Sequence, residues 1–364
     1  QHSNGAMPTT APEYVIFEGP GMDAFAESPE WGGSLVIFPF MYYETYGDDS
    51  LIKKYYPNMR RYVDYLKTRA DKGILSFGLG DWYDYGDFRA GFSRNTPVPL
   101  VATAHYYMTV MYLVQAAKMV GNDFDIHYYT SLAQDIMVAF NKCFLHKDTA
   151  QYGTGSQCSN ALPLFLQMTQ DADEQGNYRP DADLNEKVFA NLIKDVEAHG
   201  NRLTTGDVGN RYLIQTLARN GEHELIYKMF NHEEAPGYGF QLKFGATTLT
   251  EQWDPRQGSS WNQFMMGQID EWFFNSLVGI RPSTTPKQGY QKFIIAPQPV
   301  GDLKYVKASY ETLYGTINVD WTCENGTFTL NVSVPVNTTA VVYLPGEKEP
   351  KEIQSGTYQL VCAK

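Results

Sequence analysis

Apolar residues recur three and four apart through about residue 280 and two apart from about residue 289, so helical periodicity gives way once to strand periodicity. Over residues 51–70, Ile52, Tyr55, Tyr56, Met59, Val63 and Leu66 fall on one stripe, which predicts a helix packed on a single face. The same spacing predicts helices over 103–120, 126–144, 183–199, 208–220 and 262–280. Gly121, Gly200 and Gly221 each follow a periodic run, where a residue without a Cβ can take the left-handed turn that closes a helix. Asp183 with Glu186 three residues on resembles a capping box. Helices in succession, joined alternately by short and long loops, suggest stacked αα-hairpins that close into a toroid with its loops crowded at one end.

The C-terminal part reads as strands. Ile317, Val319, Trp321 and Cys323 alternate with polar residues, Asn325-Gly326 supplies a tight turn, and Phe328, Leu330, Val332 and Val334 alternate again. With further strands at 340–344 and 358–362, residues 289–364 are expected to form a small antiparallel β-sandwich. The expected fold is therefore mainly α, a helical toroid over residues 1–284 followed by a β-sandwich domain over 285–364.

Composition narrows the function by exclusion. A chain that is 43% hydrophobic and 14% aromatic can bury a large core and reads as an ordinary soluble globular protein. The 29 Lys and Arg against 41 Asp and Glu leave a net charge of -12, without a basic cluster able to track a phosphate backbone, so nucleic acid is not an expected partner. The longest apolar stretch, 106–114, is too short and interrupted to span a bilayer, which takes about 20 apolar residues. Cys143, Cys158, Cys323 and Cys362 lack CxxC spacing and a nearby His, which argues against a metal site. They are expected as unpaired core thiols, with a Cys323–Cys362 bridge as the alternative. Asn325, Asn331 and Asn337 begin sequon-like triplets that read more simply as polar strand and turn positions.

Two loops combine acids with aromatic rings. One, 77–88, interleaves Asp81, Asp84 and Asp87 with Trp82, Tyr83 and Tyr85; the other, 245–261, carries Glu251, Trp253, Asp254 and Trp261. A sugar presents hydroxyls at its rim and C–H bonds on its faces, so carboxylates that accept from hydroxyls and flat rings with polar tips suit it. A third patch, Glu13-Tyr14 through Ser28-Pro29-Glu30-Trp31-Gly32, repeats the pairing. Nucleophile-elbow, P-loop and HExxH motifs are missing from the sequence.

These segments resemble glycoside hydrolase family 78, the α-L-rhamnosidases. Ser28-Pro29-Glu30-Trp31 and the Tyr46-Gly47-Asp48 element look like the family's tryptophan segment and YGD element, and Gly80-Asp81-Trp82 like its GDW element. Gly245-Ala246-Thr247-Thr248 with Glu251 and Trp253 is similar to its GATT...E.W segment. Trp272, Gly279-Ile280, Gly289-Tyr290, Pro297, Gly315 and Trp321 follow its passage into the C-terminal sandwich. The resemblance covers nearly the whole chain and implies an (α/α)6 barrel, here lacking its first helices, and inverting exo-hydrolysis of terminal α-L-rhamnose without a cofactor or metal.

By position, Glu251 corresponds to the general base. Trp31 and Trp82 would wall the sugar pocket, and Glu30, Asp81, Trp253 and Gln263 would complete the substrate-binding set. The segment that carries the family's general acid has no counterpart here, so that acid is expected upstream of Gln1, and the chain alone is not expected to hydrolyse glycosides at a useful rate. Gln263 stands where the family usually has His. The implied partner is a rhamnose-containing glycan or glycoside, and the implied location is periplasmic or secreted. A non-catalytic carbohydrate-binding relative and a six-hairpin glycosidase acting on another sugar remain as alternatives.

Overall fold

The computed structural model describes residues 1–172, 178–257, 260–283 and 286–363. The chain divides into two compact units, one made of residues 1–38, 50–216 and 229–266, the other of 39–49, 217–228 and 267–364.

The first unit is helical. Its helices include Ser50–Arg69, Val98–Val120, Asp123–Phe144, Gln157–Phe165 and Ala182–Ala198. Val98–Val120 packs against both Ser50–Arg69 and Asp123–Phe144, and Gln157–Phe165 against Ala182–Ala198. The stripe expected on Ser50–Arg69 is buried at Ile52, Tyr56, Met59, Val63 and Leu66, joined by Tyr62 and Tyr65. Gly121, at φ 75°, closes Val98–Val120, and the Asn122 side chain then caps the next helix by accepting the Asp125 N–H at 3.1 Å. Gly200 and Gly221 are left-handed as well. The expected box at Asp183 is corrected: Asp181 is the N-cap, its carboxylate accepting the Leu184 N–H at 3.0 Å, while Asp183 lies inside the helix beside Lys187.

Among the helices that the periodicity did not predict, which include His223–Phe230 and Tyr238–Lys243, two share a reason. In Ser34–Tyr46 apolar residues surround the helix on all sides, and in Gln157–Phe165 every residue but the last is buried, so neither has the polar face that makes a helix visible. Two short hairpins were also unforeseen, β1 (Leu145–His146) with β2 (Gln151–Tyr152) and β3 (Gln170–Ala172) with β4 (Tyr178–Pro180).

The continuous helix expected over 262–280 is corrected as well. A 3₁₀ turn at Phe264–Gly267, a short helix at Gln268–Trp272 and a π turn at Phe273–Val278 replace it. The Gln263 N–H donates to the Leu249 carbonyl at 3.0 Å, so the backbone there is tied across to the preceding loop instead of along a helix.

The second unit is built on two four-stranded sheets. One runs β11 (Lys351–Ile353), β10 (Thr339–Val342), β6 (Lys292–Ile295), β5 (Ile280–Pro282); the other runs β12 (Gly356–Ala363), β9 (Thr327–Val334), β8 (Gly315–Glu324), β7 (Tyr305–Thr312). The β10–β6 ladder is parallel and the other ladders of the two sheets are antiparallel. The Asn325-Gly326 turn has φ of 50° and 76° at its two residues, as a tight hairpin turn requires. Ile317, Val319, Trp321, Phe328, Leu330 and Val332 are buried, and the Trp321 indole donates to the Leu277 carbonyl at 2.9 Å. The expected junction at 284/285 lies outside the described residues.

The four cysteines are free, and Cys143 is exposed, contrary to the expectation of a core thiol. Cys323 on β8 and Cys362 on β12 both sit opposite Phe328 of the intervening β9. Two strand spacings, about 9.5 Å, exceed the roughly 7 Å that a disulfide spans between Cα atoms.

Candidate functional site

The loop after Leu75 has no regular hydrogen bonding of its own, so its shape depends on acids that accept backbone N–H groups. Asp84 is buried and its Oδ2 accepts the N–H groups of Arg94 and Asn95 at 2.7 and 2.6 Å. Asp81 is fully buried; its Oδ1 accepts the Gly209 N–H at 2.6 Å, and a Cβ on Gly209 would stand 2.6 Å from Oδ2. Between these anchors Trp82 is held on edge by aromatic neighbours, with Phe25 and Phe92 centroids at 5.4 Å and Tyr83 at 4.8 Å.

The Trp31 segment is stapled to the same loop. Ser28 Oγ accepts the Leu79 N–H at 3.0 Å and donates to the Glu30 carboxylate, which in turn accepts the Gly80 N–H at 3.1 Å. Glu30 as a whole is half-buried, but its carboxyl is enclosed: a Cβ on Gly78 would lie 2.7 Å from it. Trp31, next along the short helix Pro29–Gly32, is half-buried.

A third segment, 204–209, lies against both loops. The Asp207 N–H donates to the Trp82 carbonyl at 2.7 Å, the Tyr85 N–H to the Thr204 carbonyl at 3.1 Å, and the Trp253 indole N–H to the Thr205 carbonyl at 3.2 Å. Asp207 is buried, and it is the acid that the sequence reading missed. Its only local signal is a Gly-Asp step like that of Gly80-Asp81, in a stretch without other sugar-site features.

Glu251 is half-buried and enters no ion pair among the described residues. Its carboxylate accepts the Ser260 N–H at 3.2 Å while its own N–H donates to the Ser260 carbonyl at 2.9 Å. The charge of Glu251 reaches Asp207 and the Tyr83 phenol. Trp253 is 1% exposed, its ring packed against Tyr238 at 5.3 Å, so its indole lies beneath the loop. Gln263 is half-buried, with its side-chain oxygen 3.5 Å from the Met265 N–H. The fold thus gathers Glu30, Asp81, Trp82 and Asp207 around one loop, and ties the Glu251 segment to it through the Trp253 indole on Thr205, while the Gln263 backbone is bonded to Leu249.

Burial sets the electrostatics of this cluster. It pushes Glu30 and Asp81 up to about 7 and Asp84 to about 6, against the backbone N–H groups that favour their ionised forms. Asp207 is raised well above the carboxylate range by burial first, then by the charges of Asp81 and Glu251. An acid whose folded pKa lies above its unfolded value stabilises the fold fully below the unfolded pKa and loses that contribution as pH rises through the folded one. Melting temperature is therefore expected to fall between about pH 4 and pH 8, and Asp81→Asn should flatten that slope in thermal melts across the range. An unchanged slope would show that Asp81 does not carry it.

Residues 1–277 match the bacterial alpha-L-rhamnosidase 6 hairpin glycosidase domain, and residues 279–359 match the bacterial alpha-L-rhamnosidase C-terminal domain. An α-L-rhamnosidase of Streptomyces avermitilis is 28% identical over 335 residues, which cover 89% of this chain and 30% of that protein. The solved structure of an α-L-rhamnosidase from Dictyoglumus thermophilum is 29% identical, with a TM-score of 0.85, covering 100% of this chain and 42% of that one. The Streptomyces avermitilis α-L-rhamnosidase solved in complex with L-rhamnose is 25% identical, with a TM-score of 0.84, covering 100% of this chain and 35% of that one. The chain thus spans less than half the length of these relatives. With residues 1–277 matching the six-hairpin domain and residues 279–359 the C-terminal domain, the chain belongs to the bacterial α-L-rhamnosidase family of six-hairpin glycosidases.

Proposed function

We propose that this chain carries the sugar-recognition groups and the general base of an inverting, exo-acting α-L-rhamnosidase. The observation that supports the reading is a chain of contacts: the Trp253 indole, two residues after the half-buried Glu251, donates to the Thr205 carbonyl at 3.2 Å, and the Asp207 N–H of that same 204–209 segment donates to the carbonyl of Trp82 at 2.7 Å. A base must be ionised and reachable at working pH, and the acids buried deeper, Asp81 and Asp207, are poorly suited to that task because burial favours their neutral forms.

In the reaction, Glu251 takes a proton from a water that attacks the anomeric carbon, while an acid on the opposite face protonates the departing glycosidic oxygen; the C–O bond to the aglycone breaks and the configuration inverts. Such pairs stand roughly 6.5 to 9.5 Å apart to leave room for that water. The partner acid is assigned to a part of the polypeptide outside this chain. Trp31 and Trp82 flank the sugar, Glu30 and Asp81 hold the Trp82 loop in place, and Trp253 and Gln263 support Glu251. Residues to 284 carry the reaction and those from 285 form the C-terminal domain. Terminal rhamnose on glycans or glycosides is the substrate class, which places the protein in the periplasm or outside the cell.

Gln263, an amide that cannot titrate near neutrality, favours a second reading in which the pocket binds sugar without turnover. The two separate in one pair of measurements on the full-length polypeptide: calorimetry with L-rhamnose, and release of L-rhamnose from 4-nitrophenyl α-L-rhamnoside. Binding with turnover, the sugar appearing first as the β-anomer by NMR, is expected. Binding without turnover would establish the second reading, and the absence of both would remove the sugar site.

A further inference from the structure

The segments that carry Trp31 and Trp82 are joined at an inner and an outer contact. The inner one is the Ser28–Glu30 pair, which accepts the Leu79 and Gly80 N–H groups. The outer one is made by a residue of neither segment, Arg69, the last residue of the helix Ser50–Arg69. Its guanidinium donates to the Glu27 carboxylate and to the Tyr65 phenol oxygen, and the Tyr65 O–H donates to the other oxygen of the same carboxylate. Glu27 directly precedes Ser28 and lies four residues before Trp31. The same guanidinium stands 4.3 Å from the ring centroid of Phe77, which leads through Gly78, Leu79 and Gly80 to Trp82.

One guanidinium can serve both segments because it donates in its plane and stacks through its face, whereas an ammonium has no such plane. Its anchor is rigid: Tyr65 lies on the buried face of the helix, and burial, then the bond to Glu27, pushes its phenol up to about 12, so it stays protonated and donates. The joint has little slack. A Cβ on Gly78 would lie 2.7 Å from the Glu30 carboxylate and 3.1 Å from the Pro29 ring, so a small parting of the segments loses the inner hydrogen bonds as well. The ion pair itself is at the rim, with Arg69 36% and Glu27 23% exposed, where salt screens it.

We propose that Arg69 is a positioning residue for the sugar pocket: by gripping Glu27 in its plane and Phe77 on its face, it holds the Trp31 and Trp82 segments at one spacing. This rests on the reading of the two indoles as walls of the rhamnose site. In calorimetry on the full-length polypeptide, Arg69→Gln should weaken L-rhamnose binding about three- to tenfold. On 4-nitrophenyl α-L-rhamnoside, KM should rise by a similar factor with kcat within about twofold. L-Rhamnose carries no charge, so a response of its affinity to ionic strength reports on charges within the protein. Wild-type affinity should fall about twofold between about 0.1 and 1 M NaCl, where the Debye length shrinks from roughly 10 to 3 Å, and that of Arg69→Gln should stay constant.

Arg69→Lys, which keeps the charge without the stacking plane, should recover part of the affinity together with the salt response. Glu27→Gln should match Arg69→Gln, and the double variant should lose no more than either. Should Arg69→Gln fail to fold by thermal melt, Glu27→Gln carries the same test. A wild type that neither binds L-rhamnose nor turns over overturns the functional reading and this proposal with it. A wild type that binds the sugar, with folded variants that bind it equally well, keep the salt response or lose affinity additively, overturns the proposal alone.

Discussion

Replacing Gly206 by alanine is expected to separate the two loops that build the site and to remove sugar binding. A Cβ at this position would lie 2.0 Å from the Trp82 carbonyl oxygen and 2.5 Å from the Asp84 nitrogen. Both are backbone atoms, so no rotamer change relieves the clash and the 204–209 segment must move away from the Trp82 loop. The move breaks the 2.7 Å bond from the Asp207 N–H to Trp82 and the 3.1 Å bond from the Tyr85 N–H to Thr204. Overpacking and the lost hydrogen bonds together should cost on the order of 3 kcal/mol, read as a lower denaturation midpoint. Calorimetry on the folded fraction should then show L-rhamnose affinity at least about tenfold weaker, since Trp82 loses its support. A variant that melts and binds like the parent would mean that this backbone contact does not hold the pocket.

The second large effect concerns chemistry alone. Glu251→Gln keeps the size and a hydrogen-bonding oxygen for the Ser260 N–H but cannot take a proton. In the full-length polypeptide kcat should fall about 100- to 10,000-fold while L-rhamnose affinity stays within about threefold. Asp207→Asn is the control: this acid is favoured in its neutral form by burial, so its amide replacement should cost far less turnover than Glu251→Gln. Equal losses in the two variants, or retained turnover in Glu251→Gln, would take the base role from Glu251.

Much of the framework was legible in the chain because its signals are local. The helix Ser50–Arg69 and the hairpin of Gly315–Glu324 with Thr327–Val334 follow from apolar spacing and one Asn-Gly turn, patterns that a handful of neighbouring residues complete. Gly121 was legible for the same reason, since the cap of a helix is decided within its last turn. Ser34–Tyr46 and Gln157–Phe165 were not, because a helix that is apolar all round, as the first is, or buried along nearly its whole length, as the second is, has no polar stripe to contrast with its apolar one.

The residue types of the site were legible too, and their arrangement was not. The sequence by itself determined that acids and indoles recur in a few loops of a helical chain, because composition and spacing are properties of the chain. Only the tertiary structure decided that Asp81 turns inward to the Gly209 N–H, that the Trp253 indole is buried on Thr205, and that Asp207 joins the cluster at all. Those outcomes depend on contacts between segments more than a hundred residues apart in the case of Asp81 and Gly209. At such separations the burial of a carboxyl, and hence its charge, is set by which backbone N–H groups the fold brings to it.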